Sequence, residues 1–169
     1  MTRTTNARAA GTAYLLYFVA GIGSMAVASS MPGLRAVFLA VMPFCALALG
    51  VTLYALTRDV DRDLAMLAMV CRVVEAAGGN GELFFAAGSA IFCWLLLRGR
   101  LIPAALAWIG LASSTGLVML LLAQSVTGAR TDWSSPVTWF VWLPMLVFEL
   151  TFAAWLLTKP IPLPASATA

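Results

Sequence analysis

Apolar residues run through this chain in long blocks, and polar residues collect in the short gaps between them. Six blocks approach the roughly 20 residues that a bilayer-spanning helix requires. The first is predicted from about Ala9 to Ala28 and the second from about Ala36 to Thr57, bent near Pro43. The third, from about Asp63 to Ala77, is short. Gly78-Gly-Asn-Gly81 breaks it from the fourth, at about Glu82 to Leu97. The fifth covers about Leu101 to Val126, with Pro103 in its first turn, where proline is tolerated. The sixth runs from about Pro136 to Thr158, with Pro144 as a kink. The pattern therefore predicts an all-α fold, a six-helix transmembrane bundle occupying positions 1–159. The proline-bearing tail at 160–169 (Pro160, Pro162, Pro164) is read as disordered.

Composition agrees with that pattern. Hydrophobic residues make up 62% of the 169 positions and charged residues only 10%, whereas soluble domains are closer to half apolar and a quarter charged. The net charge of +3 does not point to nucleic acid, because the basic residues are scattered singly at block ends. Their distribution instead predicts topology. Arg3, Arg8, Arg58, Arg62, Arg98, Arg100 and Lys159 fall on one side, while Arg35 and Arg130 fall on the other. Lys and Arg favour cytoplasmic loops, so both termini are expected in the cytoplasm of a cell whose inner membrane the bundle crosses. No cleavable signal peptide is evident, since the first block is long enough to span.

Against this background four charges stand out. Arg72 and Glu75 interrupt the third block, Glu149 the sixth, and Glu82 opens the fourth. A charge in the hydrocarbon core costs several kcal/mol, so such residues usually pair or line a polar site. At ~1.5 Å per helical residue, Arg72 and Glu149 each lie roughly 14 Å from the basic side. Glu75 stands one turn beyond Arg72 on the same face. The three are expected to converge near the midplane if the third and sixth helices touch. Glu82 is expected at the outer rim, where Gln124 can join it.

The chain also resembles a bacterial multi-pass membrane protein family catalogued only as a domain of unknown function. The resemblance is carried by Arg8-Ala-Ala-Gly-Thr-Ala-Tyr-Leu-Leu15, Leu53-Tyr-Ala-Leu-Thr-Arg-Asp-Val-Asp-Arg62 and Arg72-Val-Val-Glu-Ala-Ala77. Leu97-Arg-Gly-Arg-Leu-Ile-Pro103 and Glu149-Leu-Thr-Phe-Ala-Ala-Trp-Leu-Leu-Thr-Lys159 complete it. The family pattern has an Arg–Glu pair in its third span and a Glu in its last, which map onto Arg72, Glu75 and Glu149. The connection at Gly78 to Gly81 is shorter here than in the family. The resemblance implies fold and topology and names no activity.

Other features have plainer readings. Cys45, Cys71 and Cys93 lie in apolar blocks without CxxC spacing and are expected as buried thiols. With no histidine present, the commonest metal ligand and general base are missing, and no metal or cofactor is expected. Asp59, Asp61 and Asp63 alternate with Arg58 and Arg62 as a solvated cluster in which Asp61 or Asp63 can cap the third helix. Trp133 and Trp139 fit an interfacial aromatic belt, as do Trp94 and Trp155 on the other side. Belt or packing is the first reading of every ring. The functional alternative is that Trp142, Phe148 and Phe152 line a cavity for an apolar or cationic species, since ring faces attract positive charge. Ser113, Ser114, Thr115 and Gly116 with Gly110 suit close helix packing.

Three functions follow for Arg72, Glu75 and Glu149. The first is a site, with Trp142, Phe148, Phe152, Glu82 and Gln124 as substrate-binding residues, that binds a small isoprenoid- or lipid-like molecule. Glu75 or Glu149 would act on it as a general acid, for example in proton-initiated terpenoid cyclisation. The second is a proton-coupled carrier or channel, for which no polar path through the bilayer and no sequence repeat between the halves is apparent. The third is a non-catalytic partner subunit whose ion pairs clamp helices. The expected partners are membrane lipids and a hydrophobic ligand. The oligomeric state is not legible.

Overall fold

A computed structural model describes residues 2–27, 30–78, 80–129 and 131–161. Ala28, Arg130 and positions 162–169, with Pro162 and Pro164 of the expected tail, lie outside the described residues. Six helices account for almost all of the rest, and no strand occurs among the described residues: α1 (Arg3–Ala26), α2 (Pro32–Thr57), α3 (Arg62–Ala77), α4 (Gly81–Arg98), α5 (Ala104–Thr127) and α6 (Pro136–Thr158). Five are long and apolar enough to cross a membrane. The exception is α3. Its 16 residues rise only about 24 Å and carry Arg72 and Glu75, in keeping with the short third block of the sequence.

Local chemistry sets the helix ends. The Thr2 hydroxyl accepts from the Thr5 amide, which starts α1 six residues before the apolar block suggested. Asp61 accepts from the Leu64 amide and caps α3, while Asp63 sits in its first turn. Ser135 caps α6 and Pro136 opens it. Pro103 is the residue before α5 rather than part of its first turn. Gly128 closes α5 in the left-handed conformation at φ 69°, where a glycine carries no Cβ penalty. Pro43 and Pro144 lie inside α2 and α6, as membrane helices tolerate.

The helices form a ring in chain order, each against its sequence neighbour, and α1 packs on α6 to close it. Arg3 bridges to Asp59 at 3.1 Å and Arg98 to Asp61 at 3.3 Å. These pairs put the start of α1, the end of α2, the start of α3 and the end of α4 at one face. A Cβ on Gly11 would lie 2.8 Å from Leu157, which brings the end of α6 to the same face. The start of α1 and the end of α6 therefore share the basic face. Beyond α6, Ile161 is buried in the core rather than trailing free of it.

Much of the core lies in the half nearest that face. Leu49, Leu53, Leu56, Leu96, Leu101 and Leu156 are buried there with Ala7, Ala10, Ala68 and Ala153. Small residues set the spacing around α3. A Cβ on Gly50 would meet the Arg72 side chain at 3.0 Å, and one on Gly88 would meet Cys71 at 2.9 Å. These two glycines let α2 and α4 close on the stretch of α3 that bears Arg72.

Candidate functional site

Among the described residues, Arg72 and Glu149 are the only Arg, Lys, Asp or Glu residues classed as buried as a whole, at 1% and 4% exposure. Glu75 is half-buried as a residue, but its side chain is only 6% exposed. The structure brings all three together. One Arg72 nitrogen donates to Glu75 Oε2 at 2.9 Å. The other donates to the Ser89 hydroxyl of α4 at 2.9 Å and stands 3.8 Å from Glu149 Oε1. The Arg72 guanidinium also lies over the ring of Phe85, 4.9 Å from its centre. Across from α3, the Tyr17 hydroxyl of α1 donates to Glu75 Oε1 at 3.0 Å.

The two carboxylates are treated unequally. Both Glu75 oxygens accept a hydrogen bond, one from Arg72 and one from Tyr17. Glu149 Oε1 is buried with no hydrogen-bond donor, because 3.8 Å is too long for one. One guanidinium faces two acids and satisfies the nearer. A buried polar oxygen left without a partner costs roughly 1–3 kcal/mol, so its retention calls for an explanation.

A cavity of about 460 Å³ lies on the far side of the bundle from the basic face, between α1 and α6, floored by Glu75 and Glu149. Tyr17, Phe18 and Gly21 supply its α1 wall, Phe85 its α4 wall, and Trp142 and Leu146 its α6 wall. Ile22, Met25 and Leu143 line it while remaining more than half or about half exposed, so its mouth opens sideways between α1 and α6. The rings are packed: Phe85 stacks on Trp142 at 6.0 Å and 12°, and Trp133 sits 5.3 Å from Trp142. Trp142 Nε1 is buried without a partner.

A second cavity, of about 680 Å³, lies at the far face between the start of α4 and the end of α5. Gly81, Glu82 and Trp133 line both cavities and form the wall between them. Glu82 is exposed at this rim. The Thr131 hydroxyl donates to its Oε2 at 2.9 Å and stands 3.4 Å from Gln124 Oε1. The loop carrying Trp133 is braced by Asp132, whose carboxylate accepts from the Ser134 hydroxyl and amide; these bonds hold it below the usual carboxylate range.

Of the residues singled out from the sequence, Arg72, Glu75 and Glu149 form one cluster, Trp142 and Glu82 line the chamber, and Gln124 lines only the rim cavity. Phe148 and Phe152 lie elsewhere. They stack on each other at 5.5 Å within the packed core, with Tyr14 edge-on to Phe152. Tyr17, Phe85 and Ser89 were missed. Depth alone offered a signal for Tyr17, because it and Glu75 are each about 20 Å along their helices from the basic face.

Fold and site together define a multi-pass helical membrane protein with a cluster of one arginine and two glutamates inside its bundle. Residues 78–159 match the model of a protein family described as a domain of unknown function (DUF4386). The match spans α4 to α6, just under half of the chain, and includes Phe85, Ser89, Trp142 and Glu149. Tyr17, Arg72 and Glu75 lie outside it. Of the stretches that carry the family resemblance, those beginning at Leu97 and Glu149 fall within the match. No curated protein and no solved structure matches the chain.

Proposed function

We propose that the chamber binds a small hydrophobic molecule, isoprenoid- or lipid-like, and that Glu149 acts on it as a general acid. The observation that carries this reading is Glu149 itself, a residue that lines an apolar, aromatic-walled cavity and whose buried Oε1 no hydrogen-bond donor reaches. Arg72 pairs with Glu75, and Tyr17 completes that acid's shell. With the single guanidinium so committed, Glu149 is the acid left to carry a proton, as a carboxylic acid in an apolar pocket can near neutral pH. Its O–H would protonate an alkene carbon, the π electrons forming the new C–H bond and leaving a cation on the neighbouring carbon. Cyclisation or isomerisation would end when an adjacent carbon returns a proton to the Glu149 carboxylate. The sideways mouth supports delivery of substrate from the bilayer rather than from water.

Native mass spectrometry with lipid extraction, on the wild type beside Glu149→Gln, tests the reading. A specific apolar molecule that accompanies the wild type and is lost in the variant is the expected result. An empty wild type whose variant is merely less stable would reduce the cluster to a helix clamp. A second reading, a proton-coupled carrier, draws on the polar cavity that shares the Glu82–Trp133 wall with the chamber. It would require proton-dependent flux that Glu149→Gln abolishes.

A further inference from the structure

We infer that the chamber selects a lipophilic organic cation, such as a quaternary ammonium or phosphonium, over a neutral molecule of the same shape. The inference rests on the reading that the chamber binds a hydrophobic molecule, and it names the chemical class. It starts from charge balance. Glu75, Glu82 and Glu149 all line the chamber, and no Lys or Arg does among the described residues. Arg72 lies behind the wall and is engaged by Glu75, Ser89 and the Phe85 ring. It leaves Glu149 with an oxygen that no donor reaches.

The walls point the same way. Phe85, Trp133 and Trp142 form a packed aromatic surface, and ring faces attract cations more strongly where water is excluded. Phe85 already carries one cation, Arg72, at 4.9 Å. A neutral ligand would make no use of the three carboxyl groups that line the chamber, whereas a cation is drawn to negative charge there that no lining Lys or Arg offsets. A stable cation in this position resembles the pair that proton transfer from Glu149 would create, a carboxylate beside a carbocation. The charged group that faces Glu149 is Arg72, at 3.8 Å, which Glu75 and Ser89 engage at the same time.

The test compares tetraphenylphosphonium with the neutral triphenylphosphine oxide, titrated calorimetrically into the full chain in lipid nanodiscs. The wild type is expected to prefer the cation by about tenfold or more. Glu149→Gln is expected to remove most of that preference, and Glu82→Gln, at the exposed rim, a smaller part. Should Glu149→Gln fail to fold, Trp142→Leu removes a ring from the wall and must also lower the preference. Equal binding of the two ligands by the wild type overturns the inference and leaves the chamber reading standing. An undiminished preference in the folded variants also overturns it, because the carboxylates and rings are then not its source. If neither ligand binds and no apolar molecule accompanies the purified protein, both readings fall.

Discussion

The two halves of this bundle solve opposite problems with the same six helices. Towards the basic face, leucines and alanines fill the interior, and Arg3–Asp59 and Arg98–Asp61 tie the helix ends together outside it. Towards the far face α1 and α6 part around a chamber, and bulky aromatic rings line the space instead of closing it. Arg72 and Glu149 stand at the boundary. The difference shows that charge inside this membrane protein is not spread evenly but gathered where close packing stops. The buried carboxylate there stands beside Arg72 and belongs to a residue that also lines the chamber.

The largest effect that would break this contrast comes from Arg72→Met. It leaves Glu75 and Glu149 without a cation, and a loss of about 3–5 kcal/mol is expected in reversible unfolding, or failure of the protein to accumulate. Gly110→Ala probes the packed half. Its Cβ would fall 2.5 Å from Phe148 and 2.6 Å from Cys93 Sγ, so a cost of about 1–3 kcal/mol is expected with ligand binding retained. A Gly110→Ala variant that lost ligand but kept its stability would show the halves to be coupled rather than separate. Glu75→Gln and Glu149→Gln then sharpen the boundary. Glu75→Gln should be the more destabilising, since it removes the acid that accepts from Arg72 at 2.9 Å. Glu149→Gln should cost less than about 1 kcal/mol while losing ligand; the reverse order would exchange the roles of the two acids. Asp61→Ala, remote from the chamber, should cost about 1 kcal/mol through loss of the α3 cap and leave binding unchanged.

The ends of α6 were legible because Ser135-Pro136 and Lys159-Pro160 mark them chemically. Those of α1 were not, since Arg3, Thr4, Thr5 and Asn6 read as a polar leader until the Thr2 cap is seen. The cluster was legible by depth: Arg72 and Glu149 are equally far from the basic side, and charged residues in apolar blocks are few enough to pair by counting. Ser89 was not, because a hydroxyl in a membrane helix usually bonds its own helix, as Thr52, Ser113 and Ser114 do with carbonyls four residues back. Phe152 shows a further limit. It lies three residues from Glu149 and so near the same helix face, but one turn closer to the basic side, where the chamber has already given way to core. A helical face can be read from spacing; the level at which a cavity ends depends on its neighbours.

The i, i+3 placement of Arg72 and Glu75 also bears on how the chain enters the bilayer during synthesis. A lone arginine at the centre of a helix costs about 2.5–3.5 kcal/mol on insertion scales, and α3 is too short to offset that with apolar length. With its counter-ion one turn away on the same helix, α3 can leave the translocon as an internally neutralised segment, before α4 or α6 has been made. Ser89 and Glu149 then meet a guanidinium whose charge is already balanced, and α6 brings a second acid to within 3.8 Å of it.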